Sequence, residues 1–398
     1  MSTAGIPGTA GTPVSCPSCG EALAEGAVFC EACGSKVTAA VEPTTSAGTD
    51  VSAEPAPFDD LGSGPISAPT RITGLPGSPG QPGSGASDGR PCLACGAEVD
   101  GDGYCTSCGT KQPSERDHFR ETPASWVAGV CDRGIVHAGN EDAMALLADE
   151  PAGSRAVLVV LDGVSSSIDS DVASLAGARA ARETLRTPLP RGMGTDQGRD
   201  AAVAAAFAHT IAAANDAIVA TTDADSDSPA SATFSVAVVE GNRLSVANIG
   251  DSRVYWVPDE GETLQVTVDD SAAQQLIEAG MDRDAAENGP QGHAITRWLG
   301  RDAPDLTPRV AALDLTGPGW VLNCSDGLWN YVSEPSAIAE QVRAVEVGGA
   351  VAPLDVALGL TAYANACGGR DNITVTLARI DAPVAATGQN PVPTNEID

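Results

Sequence analysis

Residues 234–249 read FSVAVVEGNRLSVANI, in which two apolar runs flank the segment Glu240-Gly241-Asn242-Arg243. Gly and Asn at the centre of such a segment favour a tight turn between antiparallel strands. Three further apolar runs predict strands, at 156–161, 320–324 and 373–377. Ala-rich helical periodicity predicts two helices, at 172–185 and 201–221. The sequence therefore predicts a strand-rich core that is flanked by helices.

Composition divides the chain into a main domain and smaller segments. Residues 122–380 carry the apolar runs, and 398 residues suffice for one domain of this size with accessory modules. Residues 38–90 and 381–398 consist largely of Pro, Gly, Ser, Thr and Ala, and they cannot bury enough apolar surface to offset chain entropy. We expect a flexible linker and a disordered tail there.

The balance of charge disfavours two classes of partner. Lys and Arg number 22 against 53 Asp and Glu, a formal net charge of −31, whereas nucleic acids and anionic membranes attract cationic surfaces. The first 14 residues contain neither a basic region nor an apolar run, and polar residues interrupt the apolar stretch 201–220. We therefore expect a cytoplasmic protein that binds neither nucleic acid nor membrane.

Two short cysteine-rich blocks, 14–37 and 91–112, repeat one another. Each contains two Cys-x-x-Cys pairs, each followed by Gly, and the eight cysteines are Cys16, Cys19, Cys30, Cys33, Cys92, Cys95, Cys105 and Cys108. Four thiolates per block predict one tetrahedral zinc ion in each, and a site with no open position is structural. Only Lys36 and Lys111 are basic within the blocks, which favours protein contacts over nucleic acid.

Acidic residues stand at the ends of the apolar runs in the main domain. Asp162 and Asp326 follow two of the runs, Asp371 shortly precedes another, and Asp142 belongs to an Asn-Glu-Asp segment. Any one of them alone is most simply a turn former or a cap. Carboxylates that converge on one cleft repel each other unless cations neutralise them, and an all-oxygen site selects Mg²⁺ or Mn²⁺.

Five segments of the main domain form a recognisable series. They read DRG leading to NED at 132–142, VLDG at 160–163, ANIGDSRVY at 247–255, ITRWLG at 295–300, and CSDGLW at 324–329 followed by GRDNITV at 369–375. In this order they resemble the bacterial branch of the metal-dependent protein phosphatases known as PP2C. The resemblance implies an α+β fold, a four-layer α-β-β-α sandwich of two antiparallel sheets between helices, here preceded by the two zinc ribbons.

The resemblance also implies an activity and roles for the aspartates. Asp162 would bridge two Mn²⁺ or Mg²⁺ ions, and the carbonyl of Gly163 would bind one of them. Asp326 and Asp371 would complete the coordination shell of the other ion, and Asp142 would contact the metals directly or through water. A metal-activated bridging water would hydrolyse phosphoserine or phosphothreonine in targets of a cellular serine/threonine kinase. Many relatives hold a third metal, for which the candidate ligands are Asp223, Asp225 and Asp227.

Two departures from the family pattern affect the expected site. His137 stands where the family usually carries an arginine for the substrate phosphate, so a fixed positive charge becomes dependent on pH. Arg133 is a candidate to compensate. Residues 164–167 read VSSS where relatives usually have Met-Gly-Gly, which stiffens the loop. The alternative function is therefore a weak or inactive phosphatase-like protein that binds phosphoproteins and uses the ribbons for protein contacts.

Overall fold

The computed structural model describes residues 91–381, apart from positions 93, 94, 102, 111, 113, 165, 166, 168 and 193, together with the backbone of residues 14–15 and 22–23. The chain divides into two units, Met1–Pro79 and Gly80–Asp398. The predicted linker, residues 382–398 of the predicted tail and the four cysteines of the first ribbon lie outside the described residues.

The secondary structure is mixed. The strands are β1 (Val14–Ser15), β2 (Ala22–Leu23), β3 (His118–Ala124), β4 (Val127–Asp132), β5 (Ala143–Asp149), β6 (Arg155–Leu161), β7 (Ser231–Ala232), β8 (Phe234–Glu240), β9 (Arg243–Ile249), β10 (Arg253–Pro258), β11 (Leu264–Gln265), β12 (Leu299–Gly300), β13 (Arg309–Asp314), β14 (Gly319–Cys324) and β15 (Ile373–Ile380). The helices are α1 (Ser170–Thr184), α2 (Asp196–Val219), α3 (Ala272–Glu278), α4 (Arg283–Glu287), α5 (Asp326–Trp329), α6 (Pro335–Val347) and α7 (Pro353–Ala366).

Two antiparallel sheets form the centre of the main domain. One has six strands in the order β11-β10-β14-β15-β4-β3, and the other has five in the order β13-β9-β8-β6-β5. One apolar cluster lies between the sheets, a second joins the five-stranded sheet to α1 and α2, and a third joins the six-stranded sheet to α5, α6 and α7. This arrangement is the predicted four-layer α-β-β-α sandwich.

Strand β6 shows why residues 156–161 are apolar without interruption. Its side chains alternate between the two faces of the sheet. Val157 and Val159 point into the cluster with the helices, whereas Ala156 and Leu158 point into the cluster between the sheets. Because both faces are covered, all seven residues of the strand are buried, and no polar alternation is required.

The predicted hairpin at residues 234–249 is confirmed. Strand β8 pairs with β9 in antiparallel register from Phe234 opposite Ile249 to Glu240 opposite Arg243. The two residues between them form the turn, with Gly241 at a φ of 63°, a backbone conformation that glycine adopts without strain. This hairpin occupies the middle of the five-stranded sheet and carries Asp251 just beyond its second strand.

The main domain begins earlier than the sequence predicts. The sequence predicts a domain that starts at residue 122, whereas its first strand, β3, starts at His118. This strand forms the edge of the six-stranded sheet by pairing with β4. Most of β3 is exposed or half-buried, so it lacks the apolar run by which the other strands were recognised. The prediction missed it because an edge strand needs little apolar surface.

Helix α2 is long and apolar enough, by length and composition, to cross a membrane, and it is the one such helix among the described residues. Its residues Phe207, Ile211 and Ile218 are completely buried in the cluster beneath the five-stranded sheet. Core helices of folded domains have the same composition, since they pack against apolar surface.

Candidate metal centre

Four aspartates meet at one end of the sandwich because of how the strands pair. Ala143 at the start of β5 lies opposite Leu161 at the end of β6, so the adjoining Asp142 and Asp162 are neighbours. Cys324 at the end of β14 pairs with Val375 near the start of β15, and this places Asp326 and Asp371 at the same end of the other sheet. The strand ends thus bring together carboxylates that lie up to 229 positions apart in the chain.

Asp142 is completely buried and is held by two hydroxyl groups. Ser325 Oγ and Thr374 Oγ1 each donate a hydrogen bond of 2.7 Å to Asp142 Oδ2, while Asp142 Oδ1 is buried and has no hydrogen-bond partner among the residues that the structure describes. Burial raises the pKa of Asp142 to about 6, although the two hydroxyl donors oppose the rise. One oxygen is therefore fixed, and the other is left for a ligand.

Asp162 and Asp326 occupy an environment that is unfavourable for charged carboxylates. Burial and the charges of the surrounding aspartates raise the pKa of both carboxyls well above their usual range. Asn330 Nδ2 donates a 3.0 Å hydrogen bond to Asp326 Oδ2, and Asp326 Oδ1 is buried without a partner in the described part of the chain. Hard divalent cations would neutralise this repulsion and provide partners for the orphaned oxygens, so the oxygen donors fit Mg²⁺ or Mn²⁺.

Gly163 follows Asp162 in a space that admits no side chain. A Cβ atom on Gly163 would lie 2.6 Å from the carbonyl oxygen of Glu141 and 3.1 Å from Ser170 Cβ. The neighbouring backbone is fixed by a hydrogen bond of 2.8 Å from Thr233 N to Asp162 O. The backbone at Gly163 therefore packs directly against Glu141, in a space that only glycine fits, and the metal-binding role of its carbonyl stays a prediction.

Asp371 and His137 lie at the edge of the cluster. His137 Nε2 is 3.4 Å from Asp371 Oδ1, and the two side chains are 29% and 41% exposed. Asn372 N donates a 2.8 Å hydrogen bond to the same oxygen. The predicted phosphate-binding histidine is thus adjacent to a predicted metal ligand and remains accessible to solvent.

Arg133, the other phosphate candidate, is anchored through its backbone. Its carbonyl accepts a 2.8 Å hydrogen bond from Asn372 Nδ2, and its amide donates one of the same length to Asp117 O. Its Nε atom is buried and has no partner within the part of the chain that the structure describes. The residue adjoins the segment that carries Asp371, and its guanidinium forms no ion pair with a carboxylate of the described residues.

The third-metal candidates lie on an exposed loop between α2 and β7. Asp223, Asp225 and Asp227 are all exposed. Arg301 Nη1 and Nη2 donate hydrogen bonds of 2.9 Å to carbonyls of this loop, including that of Asp223. The arginine binds the backbone of the loop, and no hydrogen bond or ion pair from another described residue singles out one of the three carboxylates as a metal ligand.

Sequence reasoning gave Asp251 no role, although the structure places it beside the cluster. Asp251 is 4% exposed, and burial, followed by the charge of Asp269, raises its pKa to about 7. Trp329 Nε1 donates a 2.9 Å hydrogen bond to its carbonyl oxygen. Asp251 follows the apolar strand β9 as Asp162 follows β6, and this shared position at a strand end could have identified it.

The second ribbon brings four thiols together. The Sγ atoms of Cys92, Cys95, Cys105 and Cys108 all lie within 4.8 Å of one another. Three of the Sγ–Sγ separations are 3.7, 3.4 and 3.5 Å. Tetrahedral Zn–S bonds of about 2.3 Å place sulfurs about 3.8 Å apart, so the described ligands fit a zinc ion.

Comparisons with known proteins agree with this geometry. Residues 136–348 match the family model described as protein phosphatase 2C, and residues 16–109 match the model described as double zinc ribbon. Serine/threonine protein phosphatase PstP of Mycobacterium tuberculosis is 33% identical over 253 residues, which are 63% of this chain and 44% of PstP. Protein phosphatase PhpP of Streptococcus pneumoniae is 32% identical over 150 residues, which are 37% of this chain and 58% of PhpP.

Solved structures show the same fold. The crystal structure of the M. tuberculosis serine/threonine phosphatase PstP/Ppp has a TM-score of 0.51 at 31% identity, over 64% of this chain and 98% of that one. The S. agalactiae serine/threonine phosphatase has a TM-score of 0.54 at 23% identity, over 66% of this chain and 100% of that one, a likeness of fold alone. The matched region spans less than half the length of full PstP.

Proposed function

The chain belongs to the protein phosphatase 2C family, and from this premise we propose that it hydrolyses phosphoserine and phosphothreonine in proteins. The observation that carries the proposal is the buried group of aspartates, in which Asp142 Oδ1 and Asp326 Oδ1 have no hydrogen-bond partner within the described residues 91–381. A buried cluster of like charges lowers stability unless it binds something positive. A buried cluster of aspartates is therefore expected in a protein that binds cations there for its function.

In this proposal Asp142, Asp162, Asp326 and Asp371, with the carbonyl of Gly163, hold two Mn²⁺ or Mg²⁺ ions. When bound, these ions supply an activated water molecule and neutralise charge on the substrate phosphate. The protein's own contribution is orientation: Ser325 and Thr374 fix one oxygen of Asp142, and Asn330 fixes one oxygen of Asp326. The remaining oxygens are thereby presented to the cations without rearrangement.

His137 and Arg133 are the proposed phosphate contacts. His137 is accessible and lies 3.4 Å from Asp371 Oδ1, so a phosphate bound at the aspartates would lie within reach of its ring. A protonated imidazole donates a hydrogen bond and carries charge, whereas an arginine fork would do both at any pH. We therefore expect phosphate binding that is weaker than an arginine at this position would give.

The proposal extends to the zinc ribbons, the substrates and the location of the protein in the cell. Each ribbon is proposed to hold one structural zinc ion and to contact other proteins, with phosphoprotein targets of a serine/threonine kinase as substrates. We propose a cytoplasmic location, because paired cysteines that bind metal suit a reducing compartment. Cell fractionation with a marker for each compartment tests the last point, and recovery with membranes or in an oxidising compartment would contradict it.

The decisive experiment is release of phosphate from a phosphothreonine peptide by the purified chain with and without Mn²⁺. Activity that requires Mn²⁺ and is lost in Asp162→Asn and Asp326→Asn supports the proposal. Binding of Mn²⁺ and of the phosphopeptide without turnover would favour the alternative, a phosphoprotein-binding protein. The observation that favours this second candidate is His137, which leaves the site without the family's fixed arginine.

A further inference from the structure

A short loop beside the metal centre runs alongside Arg370. The amides of Ile135 and Val136 donate hydrogen bonds of 2.8 and 3.1 Å to the carbonyl oxygen of Gly369, and His137 Nε2 lies 3.4 Å from Asp371 Oδ1. The same short loop therefore contacts the residues on both sides of Arg370. Arg370 must lie alongside the loop, next to the proposed phosphate site.

The side chains at this place are unusually exposed for their type. Ile135 is 62% exposed and Val136 is 66% exposed. Arg370 is exposed as well, and its guanidinium has no carboxylate partner among the residues that the structure describes. The chain has 53 acidic residues for its 22 Lys and Arg, so an arginine that is not engaged by one of them is available for a ligand.

The backbone that presents these side chains is fixed. Gly134 has a φ of 74°, and a Cβ atom there would lie 2.2 Å from Asp371 O, so the loop begins with a conformation that only glycine fits. Arg370 N donates a 2.9 Å hydrogen bond to Tyr331 Oη. A surface that is ordered before binding loses little conformational entropy when a peptide docks on it.

We propose that Ile135, Val136 and Arg370 form a recognition rim that selects the residues flanking the phosphorylated residue of the substrate. Arg370 pairs with a carboxylate of the peptide, and the two aliphatic side chains contact an apolar neighbour. The preferred substrates are phosphopeptides that carry an acidic and an apolar residue close to the phosphoresidue. This inference rests on the proposed phosphatase function.

Phosphothreonine peptides with one glutamate placed in turn at each neighbouring position, and matched peptides with glutamine there, test the charged part. An exposed ion pair predicts a kcat/KM about three- to fivefold higher for the best glutamate peptide, through KM, and a smaller preference at high salt. Arg370→Gln removes the preference. Arg343→Gln is the matched control, an exposed arginine on α6 near Trp320 at the opposite end of β14, and it keeps the preference.

Peptides with leucine or serine beside the phosphothreonine test the apolar part. The full chain prefers leucine roughly threefold, and Val136→Ser reduces that preference, since partial burial of a few methyl groups has about this value. Equal kcat/KM for all peptides, or preferences that survive in Arg370→Gln and Val136→Ser, would overturn the rim. Hydrolysis of p-nitrophenyl phosphate separates failure of the rim from failure of the phosphatase function. If this small substrate shows no Mn²⁺-dependent turnover, the phosphatase function itself is refuted.

Discussion

Replacing Thr374 by valine should weaken Mn²⁺ binding in a manner that depends on pH. Thr374 Oγ1 donates one of the two 2.7 Å hydrogen bonds to Asp142 Oδ2, and valine keeps the shape of the side chain while it removes the hydroxyl. The pKa of Asp142 is raised to about 6 by burial. At pH 7 roughly nine tenths of this carboxyl is therefore ionised.

The size of the effect follows from the lost hydrogen bond. A hydrogen bond to a charged group contributes about 1.5–3 kcal/mol, and its loss would lower the ionised fraction of Asp142 at pH 7 to between about one half and one twentieth. Because cations bind the ionised form, the apparent Kd for Mn²⁺ should rise about 2- to 15-fold at pH 7. At pH 9 the carboxyl is largely ionised in both proteins, and most of the difference should disappear.

Calorimetric titration of Mn²⁺ into both proteins at pH 7 and pH 9 measures this. Thr376→Val is the matched control, because Thr376 is equally buried on the same strand and donates its hydroxyl to Asn323 O, away from the aspartates. An unchanged Kd at pH 7, or a loss of equal size at pH 9, would refute the reasoning that protonation of Asp142 competes with the cation.

Three further predictions concern other parts of the chain. Asp162→Asn should raise the Tm of the metal-free protein at pH 8 and abolish stabilisation by Mn²⁺, as measured by thermal unfolding with and without chelator. Burial and like charges raise the pKa of Asp162, so its contribution to stability is present at acidic pH and lost as pH rises through that pKa. A lower Tm of the variant would contradict this. His137→Arg should lower the KM for a phosphothreonine peptide roughly tenfold, since a fixed guanidinium adds about 1.4 kcal/mol or more of phosphate binding; an unchanged KM would show that residue 137 does not touch the phosphate. Cys105 is 3% exposed and belongs to the cluster of four thiols. Cys105→Ser should lower the bound zinc by about one ion per chain in metal analysis and leave p-nitrophenyl phosphate turnover intact. Unchanged zinc content would argue against a zinc site at these thiols.

Features that depend on local sequence were predicted well. The hairpin at 234–249 and the strands around 156–161 and 320–324 are predominantly apolar because they are covered on both faces, and turn residues mark where the hairpin strands meet. The fold class followed from the ordered motifs. By contrast, the edge strand β3 carries no such run, and its existence depends on pairing with β4, which sequence patterns do not encode.

The candidate site was predictable in its carboxylates but not in their supports. Asp142 and Asp326 stand out only together with Asp162 and Asp371, because several acidic residues near strand ends can converge on one cleft, whereas any one alone is most simply a turn former or a cap. That Thr374 would donate to Asp142 follows only from the order of strands within and between the two sheets, which brings together residues 232 positions apart. Asp251 was overlooked although its position after β9 resembles that of Asp162 after β6, since no role had been attached to it.

The proposed ligands are divided between the two sheets: Asp142 and Asp162 adjoin β5 and β6 of one, whereas Asp326 and Asp371 adjoin β14 and β15 of the other. Cations shared among them would act as a clasp across the sandwich at that end. At the opposite end the sheets are held together by apolar packing, since Trp126 and Leu244 lie buried in the apolar cluster between them. Loss of metal would thus remove one of the links between the sheets at that end, whereas the hydrogen bonds from Ser325 and Thr374 to Asp142 would still join them there.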